Sequence, residues 1–184
     1  MTWLLSGIVV FFGVHLIPAA PAMRAQLAAR MGERGYMIAF SALSFAGLFL
    51  MVRGLRTAER VLLWQPPEIA GAIAVVVMLP AMVLIASTYF DNHITRTMRH
   101  PMNWGFLLGS ACHFFANGEL DAMLLFGGFA VYAFFYLRMR APKREFRGKP
   151  SWRLDAVAVV IGIAAYALLG YFHYALFGEF PIPY

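Results

Sequence analysis

The chain has 184 residues, 61% of them hydrophobic and only 13% charged, with a mean hydropathy of +0.69. Soluble domains carry about 25% charged residues, so this composition excludes a soluble enzyme and a disordered chain and marks an integral membrane protein. The formal charge is +6, which raises nucleic acid as a partner until the positive residues are placed along the chain.

A membrane-spanning helix needs about 20 mostly apolar residues. Six windows qualify: 2–22, 35–55, 67–89, 101–116, 120–138 and 154–177, the fourth being the shortest. They use up most of the chain and leave no room for a soluble domain. The first, MTWLLSGIVVFFGVHLIPAAPA, has the apolar run and small residues of a signal peptide but no positive n-region. It reads as a retained first helix.

His15 lies inside that helix, with Phe11 and Phe12 one turn before it and Pro18 and Ala19 one turn after. Two readings stand: a hydrogen bond to a neighbouring helix, or metal ligation by the neutral imidazole, a role in which histidine is the commonest side chain.

The connections then sort by charge. Arg24, Arg30 and Arg34 follow span one, Arg96 and Arg99 follow span three, and Arg138, Arg140, Lys143, Arg144, Arg147, Lys149 and Arg153 follow span five. Only Arg53, Arg56 and Arg60 fall on the other side. Lysine and arginine in short loops mark the cytoplasmic face, so both termini are expected outside the cytoplasm. The run RMRAPKREFRGKPSWR is then a topology determinant resting on anionic headgroups, and nucleic acid drops out as a partner. The expected fold is an all-α polytopic membrane helix bundle of about six transmembrane helices, forming one integral membrane domain over residues 1–184.

Span four, within RHPMNWGFLLGSACHFFANGEL, holds the least expected polar residues. Ionisable side chains inside spans are costly and point to function. Taken as a helix, it puts Gly105, Gly109, His113 and Asn117 on one slowly drifting stripe. Gly105 and Gly109 form a GxxxG, which suits close helix packing; the alternative is a side-chain-free groove in which a flat ligand lies against the helix and meets His113. His100 is 13 residues earlier, about 140° away around the helix, so it cannot share a metal with His113 from one straight helix. With Pro101 after it, His100 reads as a helix start, or as a contact for a ligand's acidic groups together with Arg99.

Span six carries His173 on a face with Gly162, Tyr166 and Leu169. His93 falls in the connection DNHITRTMRHP. Cys112 is the only cysteine, which excludes intrachain disulfides and a cysteine-rich metal site.

There is no HExxH, and the carboxylates lie mostly at loops or span ends, so zinc and hard cations lack ligands. Two histidines on different spans among aromatic and small residues suit haem, whose common protein ligands are imidazoles and whose pocket otherwise needs apolar walls and a few cations for the propionates. Helix rise puts His15 and His113 about 12 Å apart in depth within a core of about 30 Å. That is near the limit for one iron. The pair His113 and His173 is easier by the same measure.

GVHLIPAAPAMRAQLAARMGERGYMIAFSALSFAGLFLMVRGL, the loop Trp64-Gln65-Pro66-Pro67, RHPMNWGFLLGSACHFFANGEL and LLFGGFAVYA together resemble the NnrU family over most of the chain. The resemblance implies a bacterial inner-membrane protein linked to nitrogen-oxide metabolism and related to the 15-cis-zeta-carotene isomerase, a haem b enzyme with histidine axial ligands. Carried over by motif, the ligand positions match His15 and His113, and His100 matches the histidine of the RHP motif, which is not an axial ligand. The family often has a tryptophan in the turn before its span-four histidine, where this chain has GSACH, which makes the pocket wall smaller. Cys112 points about 100° off the ligand face and serves there as apolar filler or, alternatively, as a thiolate ligand.

Three functions are therefore expected in turn: a haem b protein supporting nitrite and nitric oxide turnover, with NO and a redox partner; a haem-dependent cis–trans isomerase of a polyene such as zeta-carotene; or a cofactor-free structural membrane protein.

Overall fold

The computed structural model describes residues 1–139, 146 and 148–178, so most of the basic run after span five lies outside the described residues. The chain divides into two compact units, Met1–Arg60 and Val61–Tyr184. Among the described residues the regular structure is helical, apart from one isolated antiparallel bridge.

Unit one is a helical hairpin of α1 (Thr2–Leu16) and α2 (Pro21–Thr57), joined by a 3-10 turn over Ile17–Ala19. Pro18 and Pro21 each start a helical segment, where proline's missing N–H costs nothing. The two helices approach through glycine. A Cβ on Gly7 would lie 2.6 Å from the Met51 backbone nitrogen, and one on Gly47 would lie 2.9 Å from that of Phe11. Gly54 meets the Leu4 backbone in the same way. Without a hydrophobic drive between helices in lipid, such backbone approach is a main source of association.

The second span, expected at 35–55, falls in the part of α2 that follows Gly32, while α2 as a whole begins at Pro21. Its first part, rich in alanine and arginine, is helical but too polar for a span, and Gly32 then turns the chain at φ 73°, ψ 157°. That conformation is open to glycine and strained for other residues. An Arg24–Glu33 ion pair closes across the break.

Unit two packs as a row, α6–α5–α3–α7. Its helices are α3 (Ile69–Ser87), α4 (His93–Met98), α5 (Pro101–Ala116), α6 (Leu120–Met139) and α7 (Trp152–Phe177). Central α3 meets α5 and α7 through small residues: a Cβ on Gly105 would lie 2.6 Å from the Ala81 carbonyl oxygen, and one on Gly162 would lie 2.6 Å from Val83 Cα. Pro80 removes the amide that would bond to the Val76 carbonyl within α3. One turn away, the Tyr166 hydroxyl donates to the Val75 carbonyl at 3.1 Å and ties α7 to this weakened stretch.

Among the described residues five helices are long and apolar enough to cross a bilayer: α1 with its 3-10 extension, α2, α3, α6 and α7. The fourth window, 101–116, becomes α5, whose 16 residues span about 24 Å against a core of about 30 Å. It runs antiparallel to both α3 and α6, as the pairing of Gly105 with Ile85, Gly109 with Met78 and Gly127 with Phe114 requires. Large apolar side chains such as Val9, Phe45, Val76, Val131 and Val160 are exposed, as expected of surfaces that meet lipid tails. The chain is a multi-pass membrane protein.

The connection before α5 contains α4, which the sequence windows left as a loop. Asn92 caps it, its side chain accepting from the Thr95 amide at 2.8 Å.

Candidate functional site

His15 closes α1 in unit one. Its ring stacks on Phe11, with centres 4.1 Å apart and planes 23° from parallel, and Phe40 of α2 lies 5.1 Å away. Nδ1 sits 2.7 Å from the Phe11 carbonyl oxygen. A carbonyl only accepts, so this contact puts the proton on Nδ1 and the ring lone pair on Nε2. A backbone carbonyl holding the other ring nitrogen is also the usual support of a metal-ligating histidine. Beside Phe40 a cleft of about 200 Å³ is lined by Pro18, Arg24, Tyr36, Met37 and Ser41.

In unit two, α5 and α7 both start at the α4 end and run in the same direction. Their C-terminal portions therefore reach the same level, and His113 and His173 meet there. Their ring centres are 6.4 Å apart with planes inclined at 59°. Phe126 of α6 lies 4.5 Å from His113, and Phe177 lies 5.0 Å from His173.

An imidazole nitrogen sits about 2 Å from a first-row metal, which puts the ring centre about 3.2 Å from it and two opposed rings about 6.4 Å apart. The observed spacing fits that requirement. No three His, Cys, Asp or Glu side chains converge among the described residues.

The other residues singled out in the sequence fall elsewhere. Gly105 and Gly109 face α3, and the space beside them is filled by Ala81, Ile85 and Met78, which is the packing role. Asn117 caps the C-terminus of α5, its side-chain nitrogen donating to the His113 carbonyl at 2.7 Å. That bond fixes the end of the last helical turn before the turn into α6.

Arg99 and His100 stand at the opposite end of α5, about 20 Å of helix from His113. Arg99 has φ 58°, a rare conformation for a residue with a side chain, and it turns the chain from α4 into α5. His100 caps α5 and meets the ring of Tyr136 edge-on at 5.9 Å. These two residues are not gathered with the histidine pair.

Sequence reasoning missed a cluster at the α4 end. The Asp155 carboxylate, in the first turn of α7, accepts from the His93 and Ile94 amides at 3.0 and 3.3 Å and from His93 Nδ1 at 2.6 Å. His93 stacks on Trp152 at 3.9 Å. Next to it Arg96 grips Asp91 at 2.7 and 2.9 Å and donates to the Gly148 carbonyl. The Asp91 hydrogen bonds raise the Arg96 pKa above its ordinary value. The only signal in the sequence was an aspartate at the edge of an apolar window.

Residues 3–181 match the sequence model of the NnrU protein family. The chain belongs to that family. No functionally curated protein and no solved structure matches it. The NnrU match spans both units, so the His15 hairpin and the His113–His173 bundle are parts of one family sequence.

Proposed function

We propose that this NnrU protein is a haem b-binding protein of the bacterial inner membrane that supports nitrite and nitric oxide metabolism through redox or NO-responsive chemistry at the iron. The observation that carries the reading is the His113–His173 spacing of 6.4 Å. Two imidazoles at that distance would be able to share one metal, and two imidazoles with aromatic neighbours are a donor set that haem would take.

In this reading His113 and His173 would hold the iron, and Phe126 and Phe177, at 4.5 and 5.0 Å from those rings, would be its apolar walls. Haem, if held there, would supply one-electron exchange and NO binding. The chain's own part is to set the ligand spacing and to exclude water.

The test is a visible spectrum of protein purified in mild detergent, oxidised and reduced, before and after addition of NO. A Soret band that shifts with NO, together with impaired nitrite or NO consumption on deletion of the gene, supports the reading. Normal consumption after deletion argues against it.

The polyene-isomerase reading draws on a different feature. An apolar cleft of about 340 Å³ between α3 and α7 is lined by Met82, Ile85, Ala86, Tyr89, Phe90 and Ile161 among others; a long apolar substrate suits such walls, although the cleft lies at the α4 end, about 18 Å of α7 from His173. Conversion of tri-cis-zeta-carotene in reconstituted membranes tests it.

A further inference from the structure

α6 begins beneath a short antiparallel bridge. Leu62 pairs with Glu119, the Leu63 amide donates to the Gly118 carbonyl at 2.8 Å, and the Leu120 amide donates to the Val61 carbonyl at 2.9 Å. The Trp64 carbonyl occupies the place a side chain on residue 118 would take, so only glycine allows the two segments to close.

Two polar groups are buried in this cap without a hydrogen-bond partner among the described residues: Trp64 Nε1 and both carboxylate oxygens of Asp121. Asp121 is fully buried, with 0% of its surface exposed. Buried polar atoms are nearly always hydrogen-bonded, and a buried charge is paired or holds an ion, because the penalty of leaving it alone is several kcal/mol or more.

Among the described residues no side chain bonds to the Asp121 carboxylate, which has only the N-terminal turn of α6 as a source of positive potential. α5, the helix packed against α6, carries Cys112 and His113, while Arg99 and His100 stand at its far end. The segment 61–64 carries no titratable side chain, Glu119 beside the bridge has the same sign, and Tyr132, Tyr136 and Arg138 lie in the distal half of α6.

We propose that Asp121 is an ion-binding carboxylate whose counter-charge is a small mobile cation, either a proton or an alkali metal ion. The site is independent of any haem. It lies at the same end of unit two as the histidine pair, on the far side of the Asn117 turn from His113. Only three aspartates occur in the chain, and the other two, Asp91 and Asp155, are held by Arg96 and His93.

The test compares wild-type protein with Asp121→Asn, an isosteric change that removes the charge. Infrared spectra of protein labelled with carboxyl-¹³C aspartate report a protonated carboxyl. Melting temperatures in sodium or potassium chloride, against choline chloride at equal ionic strength, report an alkali ion.

A protonated-carboxyl band in the wild type that Asp121→Asn lacks assigns the proton. A melting temperature several degrees higher in sodium or potassium, with the difference lost in Asp121→Asn, assigns the metal ion. Absence of both in the wild type, or an unchanged response in Asp121→Asn, overturns the proposal. If Asp121→Asn does not accumulate, the labelled spectrum and the salt series of the wild type decide alone: absence of both signals overturns the proposal.

Discussion

His113 and His173, from α5 and α7, come together with ring centres 6.4 Å apart although the backbones of their two helices do not pack together directly. Central α3 holds both helices in place. Gly105 and Gly109 set the depth of α5 against it, and Gly162 and Tyr166 set that of α7. The spacing of the histidines therefore depends on residues that touch neither ring.

Gly105→Leu and Gly162→Val are expected to lower stability by about 1–3 kcal/mol each, the usual cost of overpacking. In both cases the obstructing atoms are backbone, the Ala81 carbonyl oxygen and Val83 Cα, so a side-chain rotation cannot relieve them. Gly13→Ala is the control. Nothing lies within 4 Å of a Cβ there, and replacing a helical glycine gains about 0.5–1 kcal/mol. Thermal unfolding in detergent measures all three.

Asp155→Ala is expected to cost about 2 kcal/mol, because two amides and the His93 ring lose a charged acceptor. His93→Ala alone should cost less, since Asp155 keeps the two amides. A double-mutant cycle should give a coupling energy of about 0.5 kcal/mol or more, the range for residues in contact. Additive effects would argue against the pairing.

Tyr166→Phe removes only the hydroxyl that reaches the Val75 carbonyl. Interhelical hydrogen bonds in membranes average about 0.6 kcal/mol, so a small drop in melting temperature is expected. The visible spectrum should keep its form, because the ring remains in place between α7 and α3.

The spans were legible because lipid imposes a simple rule: long apolar runs become helices. The windows for α3, α6 and α7 end within two residues of the observed helices. The helical stretch before Gly32 went unread because hydropathy cannot distinguish a polar helix from a polar loop, whereas the window at 35–55 begins just after the break at Gly32. α4 was missed because it has only six residues, too few for a periodic signal.

The candidate site was legible in part. His113 stood out because an imidazole inside a span is costly, and the depth argument already favoured His173 as an easier partner. The Gly105-Gly109 stripe held two readings that only α3 could separate. Asp155 and His93 are far apart in the chain, and Asp121 stands at the edge of an apolar window much as an interfacial residue would. Neither sequence spacing nor periodicity carries that kind of long-range information.

The central claim is that His113 and His173 together hold an iron. The visible spectrum of the wild type beside His113→Ala, His173→Ala and His15→Ala tests it most directly, with haem supplied to each. The account predicts a Soret band with sharp reduced α and β bands in the wild type and in His15→Ala, lost or shifted in the other two. No absorbance above the protein band in the wild type, or loss in His15→Ala with His173→Ala unaffected, would contradict it.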